Sequence, residues 1–364
     1  MTHEERRLIG ESDARSLARH ALSEGGLSPE DAAEVADALV DTSLRGIDTH
    51  GLRLLPQYLD ELADGVARAR PEIRIVRDRG AGVLLDADGA LGVVAGLTAA
   101  RLAAERSAEY GVCAAAVRNS NHFGAASVYT RHLARRGLVG LAVTSAASRV
   151  APFGGVEPLF GTNPISVAAA ADGDEFVLDM ATAQVCFGEV QQRRAEARPL
   201  ERGWATDSRG RATQDPAEAH ALSPLGGYKG QGLASAVTLL AAVLTGSPQD
   251  WRLTQVGQGE TGRGREVGHL LIALDPDAFC GREEFTAGLS GLLTTVRAAP
   301  AASAASPVVA AGDPQRDHAR ERSRTGLPLD RRTAKVLSEL ARRLEGAVPF
   351  PEGGTVPAAE EVSA

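Results

Sequence analysis

The chain has 364 residues, enough for one large domain or two to three modest ones, and its 43% apolar content supplies a sizeable core. Charged residues make up 24% and the formal net charge is −8, a balance that gives no electrostatic case for nucleic acid or an anionic membrane. Apolar runs such as Leu138 to Val143 are too short to span a bilayer, and Met1 to Arg7 lacks the apolar core of a secretion signal, so a cytosolic protein is expected.

In chain order, residues 11 to 64 read as helices. One opens at Ser12-Asp13-Ala14-Arg15. A second runs from Pro29 to Leu44, with Ser28 as N-cap, Pro29 at the first helical position, and Glu30 and Asp31 in the first turn. Leu54 to Leu62 continues the amphipathic pattern. The texture changes at Pro71, and Ile73 to Val76 and Gly82 to Asp86 read as strands. A long Ala-rich helix is predicted over Leu91 to Tyr110, then a strand over Val112 to Val117, a polar loop over Arg118 to Gly124, and a helix over Ala125 to Arg136. Leu138 to Thr144, Ile165 to Ala170, Phe176 to Asp179 and His269 to Leu274 read as strands. Gly232 to Leu244, Arg282 to Ala298, Pro314 to Arg324 and Leu329 to Leu344 read as helices. Residues 299 to 311 read as a linker.

This order implies an α/β unit at residues 73–324 inserted into a helical domain formed by residues 1–72 and 325–350, followed by a disordered tail at 351–364.

Four local features carry candidate chemistry. Asp48-Thr49-His50-Gly51 follows a helix, and an imidazole beside a hydroxyl can exchange protons near neutral pH; a helix-terminating turn explains the same residues. Asn119 to Gly124, with His122, lies between a strand and a helix, where α/β sheets bind ligands. Asp179 ends a strand before Met180-Ala181-Thr182. Gly226-Gly227-Tyr228-Lys229-Gly230 precedes an apolar helix, and a cation at that electropositive end calls for a bound anion. Lys229 is one of only two lysines among 39 basic residues. The string Gly257-Gln258-Gly259-Glu260-Thr261-Gly262 fits GxGxxG but leads into polar sequence, so it reads as an exposed connector and not a dinucleotide fingerprint. Cys113, Cys186 and Cys280 are far apart and read as reduced, mostly buried thiols; no metal-ligand spacing is present.

Taken together, Arg45 to Gly51, Asn119 to Ala126, Val150 to Gly155, Gly161 to Pro164, Leu178 to Thr182, Gly203 to Asp207, Asp215-Pro216 and Gly226 to Ala234 resemble the type-2 malate/L-lactate dehydrogenase family. That family includes ureidoglycolate and sulfolactate dehydrogenases and piperideine-2-carboxylate reductase. The resemblance implies a non-Rossmann, mixed and largely antiparallel sheet domain, an NAD or NADP cofactor, a small carboxylate substrate and a homodimer. It implies His50 as proton donor and acceptor, Thr49 and Asp179 as its relay, and His122 as a second active-site histidine touching the cofactor. Ser145, Met180, Ala181, Thr182, Lys229, Gly312 and Asp313 fall where the family contacts cofactor. Three positions depart from the family. Thr49 replaces its usual serine, and Ser145 stands where asparagine is frequent. Leu54 occupies the place of a carboxylate-gripping arginine, leaving Arg53, one residue early, as the expected substrate ligand.

Overall fold

The structure is a computed structural model describing residues 6–255, 261–303, 306–343 and 355–356. In chain order its main elements are β1 (Arg6–Ile9), α1 (Glu11–Glu24), α2 (Pro29–Leu44), α3 (Leu55–Ala63), β2 (Arg74–Asp78), β3 (Gly82–Asp86), α4 (Gly92–Tyr110), β4 (Val112–Ser120), α5 (Ser127–Ala134), β5 (Val139–Thr144), β6 (Ile165–Ala171) and β7 (Asp174–Met180). Next come α6 (Phe187–Ala195), β8 (Ala205–Thr206), β9 (Ala212–Thr213), β10 (Ala221–Leu222), α7 (Tyr228–Thr238), β11 (Val267–Leu274), α8 (Arg282–Arg297), α9 (Asp313–Thr325), β12 (Leu327–Leu329), α10 (Arg331–Arg343) and β13 (Thr355–Val356). The chain divides into two units, residues 1–63 with 313–364, and residues 64–312.

The first unit is mainly helical. Ser28 Oγ accepts the Asp31 N–H at 3.0 Å, so the cap read from sequence starts α2. Leu17 and Leu22 of α1 and Val35 and Leu39 of α2 are buried, and the two helices pack on each other. The unit also holds a small sheet in which β1 pairs antiparallel with β12 and β13. Within the expected disordered tail, Thr355 and Val356 are thus paired with Arg7 and Arg6; the other residues of 351–364 lie outside the described residues. The units divide at 63/64 and 312/313, where the sequence placed the limits at 72/73 and 324/325. Local bonding explains both offsets. Asp64 and Arg68 hydrogen-bond Gly262 and Gly89 of the second unit's own chain, and α9 packs on α2.

The second unit is built on a seven-stranded sheet of order β2-β3-β4-β11-β5-β6-β7. Only the β3–β4 pair is parallel; every other neighbour is antiparallel. The sheet is therefore mixed and largely antiparallel, without a Rossmann crossover series. Alternation assigns the faces. Cys113, Ala115 and Val117 of β4 and His269, Leu271 and Ala273 of β11 point toward α4 and α5. Ala116 and Leu270 pack with Val237 and Ala241 on the opposite face, under α7. Small residues on β4 let α4 lie close. Gly96 lets it meet the Tyr129 ring, which a methyl group would overlap at 2.4 Å.

Three sequence readings are corrected. β4 runs to Ser120, so Arg118 to Ser120 are strand and not loop. This part of β4 is bulged against β11 between Val267 and His269, and Asn119 takes φ +55°, a conformation asparagine tolerates. α7 begins at Tyr228 and not at Gly232, because Gly227 at φ +68° turns the chain directly into the helix. The end of the expected linker is packed: the Val177 N–H donates to the Ala311 carbonyl and Ala310 is buried. Helix α6 and the short ladder β8–β10 carried too little periodicity to be read from sequence. The glycine-rich string 257–262 lies outside the described residues except for Thr261 and Gly262.

Candidate active site

Thr49 and His50 lie on a single 3-10 turn, Asp48–His50, that follows α2. Thr49 Oγ1 is 2.9 Å from His50 Nδ1. Asp48, the carboxylate two residues back, is not part of that pair. It forms a two-pronged ion pair with Arg322 of α9, at 2.7 and 3.1 Å, and the same guanidinium also donates to the Ser43 carbonyl. The turn is thereby pinned to α9 and to the end of α2. Gly51 is required there, because a methyl group would sit 2.0 Å from Ser43 Oγ. Burial holds the His50 imidazole below its usual pKa, so the neutral form prevails at neutral pH. Arg53 lies on the next 3-10 turn, Leu52–Leu54, half-exposed, and has no hydrogen-bond or ion-pair partner among the described residues; Leu54 is part of the core. Asp313 is placed apart from this group, buried at the start of α9 and ion-paired with Arg316 at 2.6 Å.

In the sheet unit, His122 follows β4 on a tightly held loop. The fully buried Asn121 donates to the Gly89 and Ala90 carbonyls and accepts the Arg265 N–H. Asn121 is thus a structural residue that fixes His122 beside it. Gly92 is required below, since a methyl group there would lie 2.1 Å from the His122 carbonyl oxygen. Phe123 stacks on Tyr129 and on His269, with centroid distances of 4.0 and 4.1 Å. Sequence reading missed His269, which looked like an ordinary strand residue. It is fully buried, its Nδ1 is 2.7 Å from Thr144 Oγ1, and its Nε2 has no partner among the described residues. Desolvation lowers its pKa to about 3.

Asp179 is the penultimate residue of β7, at the base of the same loop. Its Oδ2 accepts the Ser127 N–H at 2.8 Å, and burial nevertheless pushes its carboxyl above the usual range. Met180 closes β7 and Ala181 follows, both half-exposed. Thr182 is fully buried. Its N–H and hydroxyl both donate to the Thr162 carbonyl, and its own carbonyl accepts the Leu225 N–H. Ser145 is buried, and its hydroxyl and N–H are spent on the Gly268 backbone at the β11 bulge. Gly312 sits at φ +100° against Val177 of β7. Lys229 is exposed in the first turn of α7, with no anionic partner among the described residues. Gly226 and Gly227 both take positive φ, and a methyl group at Gly230 would lie 2.2 Å from the Leu225 carbonyl oxygen. The turn packs tightly behind α7, with the Phe153 ring against Gly227 and open space beside Gly226. A cation without an anionic partner among the described residues, at a helix start, fits the phosphate of a dinucleotide.

Asp250, a lone carboxylate in a polar stretch, gave no sequence signal either. Fully buried, its Oδ2 accepts the Gly161 N–H, the Asn163 amide and the Thr238 hydroxyl at 2.9, 2.7 and 2.9 Å. No group of His, Cys, Asp and Glu suited to a metal exists among the described residues, and no helix there is long and apolar enough to cross a membrane. The three cysteines are unpaired; Cys113 is buried, but Cys280 is exposed, against the expectation of mostly buried thiols.

Comparison with known proteins agrees with this picture. The malate/L-lactate dehydrogenase family model matches residues 9–338, and the chain belongs to that family. It is 32% identical to a malate dehydrogenase of Pyrococcus abyssi over 92% of this chain and 94% of that one. It is 38% identical to an NADP(+)-dependent (2R)-3-sulfolactate dehydrogenase of Chromohalobacter salexigens over 75% and 82%, and 33% identical to an NAD(+)-dependent ureidoglycolate dehydrogenase of Escherichia coli over 80% and 83%. Among solved structures, sulfolactate dehydrogenase of Methanocaldococcus jannaschii superposes with a TM-score of 0.86 at 32% identity, covering 93% of this chain and 97% of that one. A delta1-piperideine-2-carboxylate reductase of Pseudomonas syringae gives 0.82 at 29%, covering 92% and 100%.

His269 generates a pH prediction. Its folded pKa is depressed, so between about 3 and the unfolded value near 6.5 the unfolded chain binds the extra proton and stability falls as pH falls. From pH 7 to pH 5 this amounts to about 2 kcal/mol. Urea denaturation of His269→Gln at both pH values should show a loss smaller by about that amount; an unchanged pH dependence would contradict the assignment.

Proposed function

We propose that the chain moves hydride between a nicotinamide cofactor and C2 of a small 2-hydroxy or 2-oxo acid, with His50 as the acid–base residue. It is an oxidoreductase acting on CH–OH or C=N groups, and its cofactor is NAD or NADP. The observation that carries the acid–base role is the 2.9 Å contact between Thr49 Oγ1 and His50 Nδ1. With Nδ1–H donating to Thr49, Nε2 keeps its lone pair and takes the substrate hydroxyl proton during oxidation. In reduction Nε2–H returns that proton to the nascent alkoxide. Desolvation favours the neutral base. Asp179 is proposed as the carboxylate of this relay. His122, held by Asn121, is proposed beside the reacting carbon, and Arg53 is proposed to grip the substrate carboxylate through its unpaired guanidinium.

Lys229, Gly226, Gly227 and the segment Met180–Thr182 would hold the cofactor, with His122, Ser145, Gly312 and Asp313 near it. The Ser145 hydroxyl and N–H are already committed to Gly268 and the Asp313 carboxylate to Arg316, which favours packing contacts over side-chain hydrogen bonds at those two positions. The bound nicotinamide supplies the two-electron exchange at C2. The sheet unit is proposed to be an insertion in the helical unit, and the protein to act in the cytosol as a homodimer. Support for the dimer comes from α7 and its continuation: no charged residue occurs from Gly230 to Gln249, yet Leu233, Leu239, Val243 and Leu244 are exposed, as is the adjacent Trp251. A helix apolar on all sides belongs under a partner.

Three tests follow. His50→Ala should keep dinucleotide affinity while turnover on the best substrate of a 2-oxo-acid and cyclic-imine panel falls by about 10²- to 10⁴-fold. The acid limb of wild-type oxidation should lie below the ordinary histidine value near 6.5; full turnover in the variant would remove His50 from this role. Lys229→Ala should weaken dinucleotide binding by about tenfold or more without lowering the melting temperature of the cofactor-free protein. A sharp drop in melting temperature with intact affinity would make Lys229 structural. In sedimentation equilibrium the wild type should weigh twice the 37.8 kDa chain, and Leu239→Glu combined with Val243→Glu should shift it toward one chain. A monomeric wild type would contradict the dimer.

A further inference from the structure

We infer that Arg149 is a phosphate-binding residue, its guanidinium set against Phe187 to grip a phosphate group of the bound dinucleotide. The inference rests on the dinucleotide reading of the preceding section and extends it to a residue that neither motif nor family position singled out.

The guanidinium carbon of Arg149 lies 3.8 Å from the centroid of the Phe187 ring. The residue is half-buried, and no carboxylate or carbonyl among the described residues accepts from its side chain. That is unusual in this unit. Arg131, Arg193 and Arg297, comparably withdrawn, reach Glu175, Glu189 and Asp174 at 3.2, 2.9 and 2.5 Å. Arg265, more deeply buried, donates to the Thr254 carbonyl. Burial pulls the Arg149 guanidinium below the usual arginine range, whereas hydrogen bonding to Glu189 raises that of Arg193. A ring face offsets part of the cost of withdrawing a cation from water, but it covers one face only. The in-plane N–H fork stays available, and a fork of that shape matches phosphate oxygens.

Its placement selects the ligand. The Arg149 N–H donates to the Phe160 carbonyl at 2.7 Å and the Arg149 carbonyl accepts the Leu222 N–H at 2.8 Å, so the side chain leaves from a fixed point. Phe187 stands on the segment after Thr182, which is laced to the same strand: Gln184 donates to Ser223, and Leu225 donates to Thr182. That strand runs on into Gly226, Gly227 and Lys229. Two cations without anionic partners among the described residues, Arg149 and Lys229, therefore issue from one laced group of loops. The flanking segments are those proposed for the dinucleotide, which points to its phosphates and away from the substrate carboxylate. The shared chemistry has two sources, the pyrophosphate common to NAD and NADP and the 2′-phosphate of NADP alone.

Calorimetric titration of the full-length wild type and of Arg149→Gln with NADH, NADPH, ADP and 2′,5′-ADP tests this. The variant should bind at least one of these about tenfold more weakly. Equal losses for NADH and NADPH assign the pyrophosphate; a loss confined to NADPH and 2′,5′-ADP assigns the 2′-phosphate. Unchanged affinity for all four overturns the inference. Should the variant not fold, phenylglyoxal labelling of the wild type, read by peptide mass, gives the same answer. NADPH or NADH should shield Arg149 several-fold while the exposed Arg209 labels as before; equal labelling of Arg149 with and without dinucleotide overturns it. A wild type that binds neither dinucleotide would fail the cofactor reading itself. Binding that is indifferent to Arg149 would fail only this inference.

Discussion

The carboxylate of Asp250 is the point on which the loops proposed to hold the cofactor are hung. Its Oδ2 collects donors from the Gly161 backbone, the Asn163 side chain and Thr238 at the end of α7, while Oδ1 stays buried without a partner among the described residues. Each such charge-assisted bond contributes about 1.5–3 kcal/mol, against several kcal/mol to withdraw a carboxylate from water. Desolvation outweighs the three donors, and the carboxyl stays above the usual range. The bonds propagate. Fixing Gly161 to Asn163 fixes the Thr162 carbonyl, which takes both donors of Thr182, and Thr182 in turn holds Leu225 ahead of the glycine turn and Lys229. Asn163 at φ +39° is the strained residue this knot sustains.

The turn that carries His50, the proposed acid–base residue, obeys a different constraint. In the run Asp48-Thr49-His50 the nearest carboxylate could compete for the imidazole, and the structure prevents that by giving Asp48 to Arg322. The hydroxyl of Thr49 meets Nδ1 of the ring, and its extra methyl relative to serine does not prevent the contact. Desolvation leaves the imidazole pKa low, which suits the proposed base, since it must be neutral before it accepts a proton.

Much of this was legible in the sequence because it depends on local rules. The Ser28 cap, the apolar strands at Val112 to Val117 and His269 to Leu274, and the glycines around Lys229 each have a neighbour-level cause, and the ordered motifs named the family. The rest depends on contacts distant in sequence. Arg322 reaches Asp48 across 274 positions, and Thr144 reaches His269 across 125. No period or cap announces such pairs. Asp250 and Arg149 were silent for the same reason: a buried acid knotting three loops and a cation resting on a distant phenylalanine look, in sequence, like residues of polar connectors. Conversely Asn121, inside the stretch Asn119 to Gly124 where ligand binding was expected, is a fastener, because its polar atoms all find backbone partners.

Direct hydride transfer from nicotinamide to C2 is the central step of the proposed function. Purified protein incubated with NADH and NADPH carrying deuterium at the transferable C4 position, together with a panel of 2-oxo acids and cyclic imines, answers this by mass spectrometry. The account predicts one deuterium at C2 of the reduced product for at least one panel member. Product lacking deuterium at C2, or no product from any member with either dinucleotide, would contradict it.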